Sequence, residues 1–81
     1  METKVAVISI IVENDDAVET LNTLLHEYSG HIIGRMGIPY RERGINLISV
    51  ALDAPADVIS ALAGKLGNQP GLSVKTAVAG V

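Results

Sequence analysis

The chain contains no cysteine, no phenylalanine and no tryptophan. Without a thiol there is no disulfide scaffold, no zinc ribbon, no thioredoxin-type motif and no cysteine nucleophile. The lack also fits a reducing compartment. Two tyrosines are the whole aromatic complement, so stacking platforms for nucleobases are missing. Cations are scarce too: six Lys and Arg stand against nine Asp and Glu, for a net charge of −3. A nucleic-acid binder carries a basic footprint, and direct nucleic-acid binding is not expected. No apolar run approaches the roughly 20 residues of a membrane helix. The mixed charges of Met1–Lys4 lead straight into strand-like sequence, with no signal-peptide pattern. These absences predict a cytoplasmic protein with no membrane attachment.

What is present is a rich apolar fraction, 48% of 81 residues. A chain this short forms one domain, here 1–81, and buries only about 60% of the surface that its unfolded form exposes. Thr3 to Glu13 (TKVAVISIIVE) is rich in β-branched residues and predicts a strand. Its alternate sets, Ala6, Ile8, Ile10, Val12 and Val5, Val7, Ser9, Ile11, are both largely apolar, so both faces should be covered. Asn14-Asp15-Asp16 supplies capping residues, and Glu19 follows Asp16 at capping-box spacing. Val18, Leu21, Leu25 and Tyr28 then recur at helical spacing, with Gly30 as the stop.

His31–Ile38 and Ile45–Asp53 alternate as strands around a polar connector, Pro39–Gly44, of hairpin length. Gly34 and Gly37 inside the first of them point to a bulge or a close backbone approach. A second helix opens at Asp53-Ala54-Pro55-Ala56-Asp57, carries Val58, Ile59, Leu62 and Leu66 on one stripe, and ends at Gly67. Pro70-Gly71 suits a type II turn, and Leu72–Ala79 closes the chain as a strand. The order βαββαβ predicts an α+β, ferredoxin-like fold: a four-stranded antiparallel sheet with both helices on one face.

The helices can cover only one side of that sheet. The richer set is assigned to them: Ala6, Ile8, Ile10, Val12, Ile32, Met36, Ile38, Ile48, Val50, Leu52, Leu72, Val74 and Val78. The other side then holds Val5, Val7, Ile11, Ile33, Ile45, Leu47, Ala51, Ala77 and Ala79, with Ser9 and Ser49 between them. An exposed patch of this kind marks an interface. Burying ~500 Å² of it contributes roughly 12 kcal/mol gross, before association costs. The expected partner is a second copy, in a homodimer or tetramer built on sheet faces or sheet edges.

Candidate chemistry is sparse. Ser9 and Ser49 have no acid–histidine partner pattern, and the adjacent Asp15 and Asp16 are accounted for by helix capping, so no catalytic constellation emerges and no cofactor is called for. His26 and His31 are two imidazoles separated by a helix end, short of the four ligands of a closed metal site. Arg35, Arg41 and Arg43 make up half of the six basic residues. Arg35 lies on a strand between two glycines, where a guanidinium suits an anion or carboxylate. Arg41 and Arg43 read more simply as an exposed hairpin pairing with Glu42 or with a neighbour.

Four segments carry a resemblance: VISIIVE (7–13), IIGRMGIPYRERGI (32–45), DAPADVISALAGKLG (53–67) and PGLSVKTA (70–77). Together they resemble the short proteins of the iron-only hydrogenase system regulator family, over about residues 4–78. The most specific strings are GRMGIPYR (34–41) and GKLG (64–67). The resemblance implies an ACT-like ferredoxin fold, related to the effector-binding C-terminal domain of the nickel-responsive regulator. ACT-type domains bind small ligands, often amino acids, at dimer interfaces. This chain lacks the His-x-His and cysteine ligands of the nickel site, so nickel sensing is not implied. Where ACT amino-acid sites place a glycine after the first strand, it has Glu13-Asn14-Asp15.

The reading that results is a non-enzymatic, effector-sensing homo-oligomer that regulates an iron-only hydrogenase system. Its ligand site would comprise Gly34, Arg35, Gly37 and the loop Asn14, Asp15, Asp16. The first alternative is a protein-interaction module without a ligand, docking a hydrogenase-related protein through the hairpin residues Tyr40, Arg41 and Arg43. The second is a metal-binding chaperone using His26 and His31.

Overall fold

β-Branched residues form the strands and capped amphipathic segments form the helices. The computed structural model describes residues 2–79. Strand β1 runs Lys4–Val12, helix α1 Ala17–Glu27, strand β2 Ile32–Tyr40, strand β3 Ile45–Ala54, helix α2 Ala56–Gly67 and strand β4 Leu72–Ala79. The sheet is four-stranded in the order β2-β3-β1-β4, with every pairing antiparallel. This is the ferredoxin-like α+β arrangement that the segment order predicts. Leu21 and Leu25 of α1 and Ile59, Leu62 and Leu66 of α2 pack on Ala6, Ile8, Ile10 and Val12 of β1 and on Val50 and Leu52 of β3.

The helix termini use other side chains than the spacing indicates. Asp16 makes no side-chain cap bond; Asn14 Oδ1 accepts from the Asp16 N–H at 2.8 Å. At α2, Pro55 holds the N-cap position, and Asp57 Oδ1 accepts from the Val58 N–H at 3.0 Å. Helix α1 ends at Glu27, and Ser29–His31 form a 3₁₀ turn that carries the chain into β2. The Pro-Gly turn forms as expected: the Leu72 N–H donates to the Gln69 carbonyl, and Gly71 has φ +84°, which a type II turn reserves for glycine. A Cβ at Gly71 would also lie 3.1 Å from Asn14 Nδ2.

One assignment fails in β2. Ile32 registers with Leu52 but Gly34 registers with Ala51, leaving Ile33 as an extra residue, a β-bulge. Positions two apart in a regular strand share a face, but across this bulge they do not. Arg35 therefore registers with Val50 on the helix side, whereas Met36 and Ile38 register with Ser49 and Leu47 on the open side. Met36 and Ile38 are 65% and 57% exposed, not core residues. Val78 does register with Ala6 on the helix side, yet it is 53% exposed at the end of an outer strand.

Candidate functional site: the open sheet face and the α1–β2 groove

The side of the sheet away from the helices is a shallow concavity of about 660 Å³. Its floor consists of rows running across the strands. One row is Ser73, Ile11, Leu47 and Ile38, and the next is Lys75, Ser9, Ser49 and Met36; beyond the concavity, Ala77, Val7, Ala51 and Gly34 continue the same face. Cross-strand partners have Cβ atoms about 4.5–5.5 Å apart, so each row is a continuous strip of side chains. Apart from Ser73 at the end of the first row, the polar groups of the concavity are gathered in the middle strip, which contains two hydroxyls and one ammonium. Beside it, Ser73 Oγ donates to Glu13 Oε1 at 2.8 Å.

A second concavity lies on the helix side, where no helix covers β2. It is a groove of about 170 Å³ between α1 and β2, lined among others by Val18, Asn22, Arg35, Gly37, Pro39 and Asn46. Arg35 Nη2 donates to Asn22 Oδ1 at 3.2 Å, which draws the guanidinium onto α1. The bulge at Ile33 puts it there. A Cβ on Gly37 would meet only Ile48 Cγ1, at 3.9 Å, an ordinary contact. Glycine is thus not forced at 37 by packing within the chain; its missing side chain keeps the groove open.

The residues singled out from the sequence are distributed as follows. Arg35 and Gly37 share the groove. Gly34 registers with Ala51 on the opposite side of the sheet. Asn14 is engaged with the Asp16 N–H and packs on Gly71, outside the groove. Asp15 lines a neighbouring depression on α1 with Glu19, Asn22 and His26, so it adjoins the groove through Asn22. Asp16 is exposed in the same loop. His26 lies on α1 and His31 ends the 3₁₀ turn; among the described residues no three His, Asp or Glu side chains converge as metal ligands would.

The hairpin tip is a 3₁₀ turn, Arg41–Arg43, closed by Gly44 at φ +65°. Of the two pairings the sequence offers for Arg41 and Arg43, Glu42 or a neighbour, the one with Glu42 does not form. Glu42 accepts from Tyr40 Oη at 3.4 Å, and among the described residues neither Arg41 nor Arg43 makes an ion pair. Neighbours on a turn of about three residues point some 120° apart, which separates them. The ion pair that is present joins Lys65 Nζ to Glu27 Oε2 at 4.0 Å. Lys65 also lies 5.1 Å from the Tyr28 ring centroid, and the Tyr28 hydroxyl, with Glu27 assisting, holds its ammonium above the ordinary 10.5.

Sequence reasoning missed Met36 and Ile38 as members of the open face, and Lys75 as its cation. The signal for Lys75 was available, since it alternates with Ser73 and Ala77 on the last strand. For Met36 and Ile38, the two glycines gave a warning of a bulge but not its position.

No curated protein matches the chain. The solved structure of "uncharacterized protein TM1266 from Thermotoga maritima" is similar to it with a TM-score of 0.91 and 37% identity, over 95% of this chain and 98% of that one. A family model described as "TM1266-like: Iron-only hydrogenase system regulator, putative" matches residues 4–76. Matched in sequence over nearly its whole length and in fold across the same span, the chain belongs to the TM1266-like family.

Proposed function

We propose that the chain is a non-enzymatic regulatory module of an iron-only hydrogenase system that works as a homo-oligomer assembled on its open sheet face. The observation that carries this reading is the extent of that face once the bulge adds Met36 and Ile38 to Val7, Ile11 and Leu47, all of them exposed. Four strands about 4.8 Å apart, with about eight residues each at about 3.3 Å, make a face on the order of 500 Å². Two such faces bury about 1,000 Å², the lower bound for a specific interface. An assembly near that bound responds to small changes in free energy, which suits a regulator.

The test is light scattering on the purified chain, paired with complementation of a host that makes an iron-only hydrogenase and lacks this gene. The wild type is expected to be a dimer or larger and to restore regulation. Leu47→Glu is expected to be a folded monomer that does not. A monomeric wild type at tens of micromolar, or full complementation by monomeric Leu47→Glu, sinks the reading.

The α1–β2 groove favours a second reading, effector sensing. Arg35, bonded to Asn22, lines with Asn46 a space sized for a small carboxylate. A ligand at 100 times its dissociation constant stabilises the fold by about 2.7 kcal/mol. Thermal unfolding against small amino and carboxylic acids should show that stabilisation in the wild type and lose it in Arg35→Ala.

A further inference from the structure

The middle strip of the open face poses a problem for any partner that covers it. Lys75, Ser9 and Ser49 stand side by side across β4, β1 and β3. Among the described residues neither hydroxyl has a hydrogen-bond partner, and Lys75 makes no ion pair. The carboxylates at the margins of the face do not fill the gap. Glu13 is engaged by Ser73, and Asp53 registers with Val5, two rows away from the strip. Dry burial would leave an ammonium and two hydroxyls without partners, which is strongly unfavourable. The surface around them is aliphatic and demands burial all the same.

We infer that the strip is a carboxylate-binding site, and that the open face takes a small aliphatic monocarboxylate. This deepens the proposed assembly, since it rests on a second copy closing over the face. The carboxylate accepts hydrogen bonds from Lys75 Nζ and from the hydroxyls of Ser9 and Ser49. The aliphatic tail lies on Ile11, Leu47 and Ile38, the adjacent row. One cation matches one negative charge, which favours a carboxylate over a phosphate dianion. Walls without aromatic rings favour an aliphatic tail over a planar one. At about 660 Å³ the concavity falls within the range of small-molecule sites, about 300–1,000 Å³. The ligand resolves the conflict by supplying the missing charge and filling the hollow, so it would favour the assembled form.

The probe is sodium octanoate below its micellar concentration, with 1-octanol as the uncharged isostere, measured by titration calorimetry on the full chain. Saturable octanoate binding is expected, with 1-octanol at least tenfold weaker. Lys75→Gln should weaken octanoate at least tenfold without changing 1-octanol binding, the scale of a lost charge-assisted hydrogen bond. The double variant Ser9→Ala/Ser49→Ala should fall between wild type and Lys75→Gln. Lys65→Gln, which removes a cation from the helix layer, should leave octanoate binding unchanged. All the substituted side chains are surface-accessible, and circular dichroism confirms that each variant is folded. Equal affinity for the acid and the alcohol, no effect of Lys75→Gln, or no saturable binding overturns the inference. Light scattering on the same samples separates the two ideas. An oligomer that ignores octanoate sinks this inference alone, and a monomer that binds octanoate through Lys75 sinks the assembly alone.

Discussion

On β1, Ile8 and Ile10 are sealed beneath the helices at 0% and 1% exposure, while Val7 and Ile11, one position away, keep 39% and 41% of their surface. The residue types are almost the same, and the strand alternates between two apolar sets. One set is covered by α1 and α2 through Leu21, Leu25, Leu62 and Leu66; among the described residues nothing covers the other. Apolar character therefore marks a face for burial without saying by what. The helix-covered face is committed to the fold, and the open face keeps its apolar side chains exposed.

Truncating one leucine of the helix layer and one of the open face gives the sharpest contrast. Leu21→Ala is expected to cost about 2–5 kcal/mol, the usual range for a sealed leucine. Leu47→Ala, measured at concentrations where the chain is monomeric, should cost less than about 1 kcal/mol. Urea unfolding at low protein concentration checks both, and equal costs would show that the open face is already covered in the monomer.

Deleting Ile33 sharpens the comparison at the bulge. With the extra residue gone, Ile32 opposite Leu52 is followed directly by Gly34 opposite Ala51, so regular alternation keeps Arg35 on the helix side and Met36 and Ile38 on the open side. The pairing from Gly34 to Tyr40 and the Arg35–Asn22 bond are expected to survive the deletion. Amide exchange across β2 reads the register directly. A shifted exchange pattern beyond Gly34 would show that β2 takes its register from elsewhere than its pairing with β3.

A smaller effect is expected where the helix layer is pinned to the sheet. The Glu13 N–H donates to the Gly71 carbonyl at 2.7 Å, and Asn14 packs against Gly71. Gly71→Ala forces a side chain into the left-handed region at φ +84°, costing about 1–2 kcal/mol. Oligomeric state should not change, because Gly71 lies outside the open face. Thermal unfolding and light scattering together check this.

Much of the fold was legible in the sequence because its signals are local. The alternation in β1 and β3, the stripes Leu21–Leu25 and Ile59–Leu62–Leu66, and the Pro70-Gly71 turn each depend on residues a few positions apart. The capping side chains were less legible. Asn14, Asp15 and Asp16 all suit the position, and the loop geometry, not residue type, selected Asn14. The candidate site was legible only in part. Arg35 and Gly37 share a groove, whereas Gly34 faces the other way and Asn14 is turned to Gly71 in the turn before β4. Arg41 and Arg43 diverge from Glu42 because the tip coils as a 3₁₀ turn.

The sequence by itself determined the order of elements, the antiparallel sheet, the helix-facing residues of β1 and the existence of a second apolar face. Those follow from periodicity, which any short window displays. The tertiary structure decided which face β2 presents, and with it the place of Arg35, Met36 and Ile38. A bulge is a property of a pair of strands, one residue too many on β2 against the count on β3, and no window of a single strand contains that count.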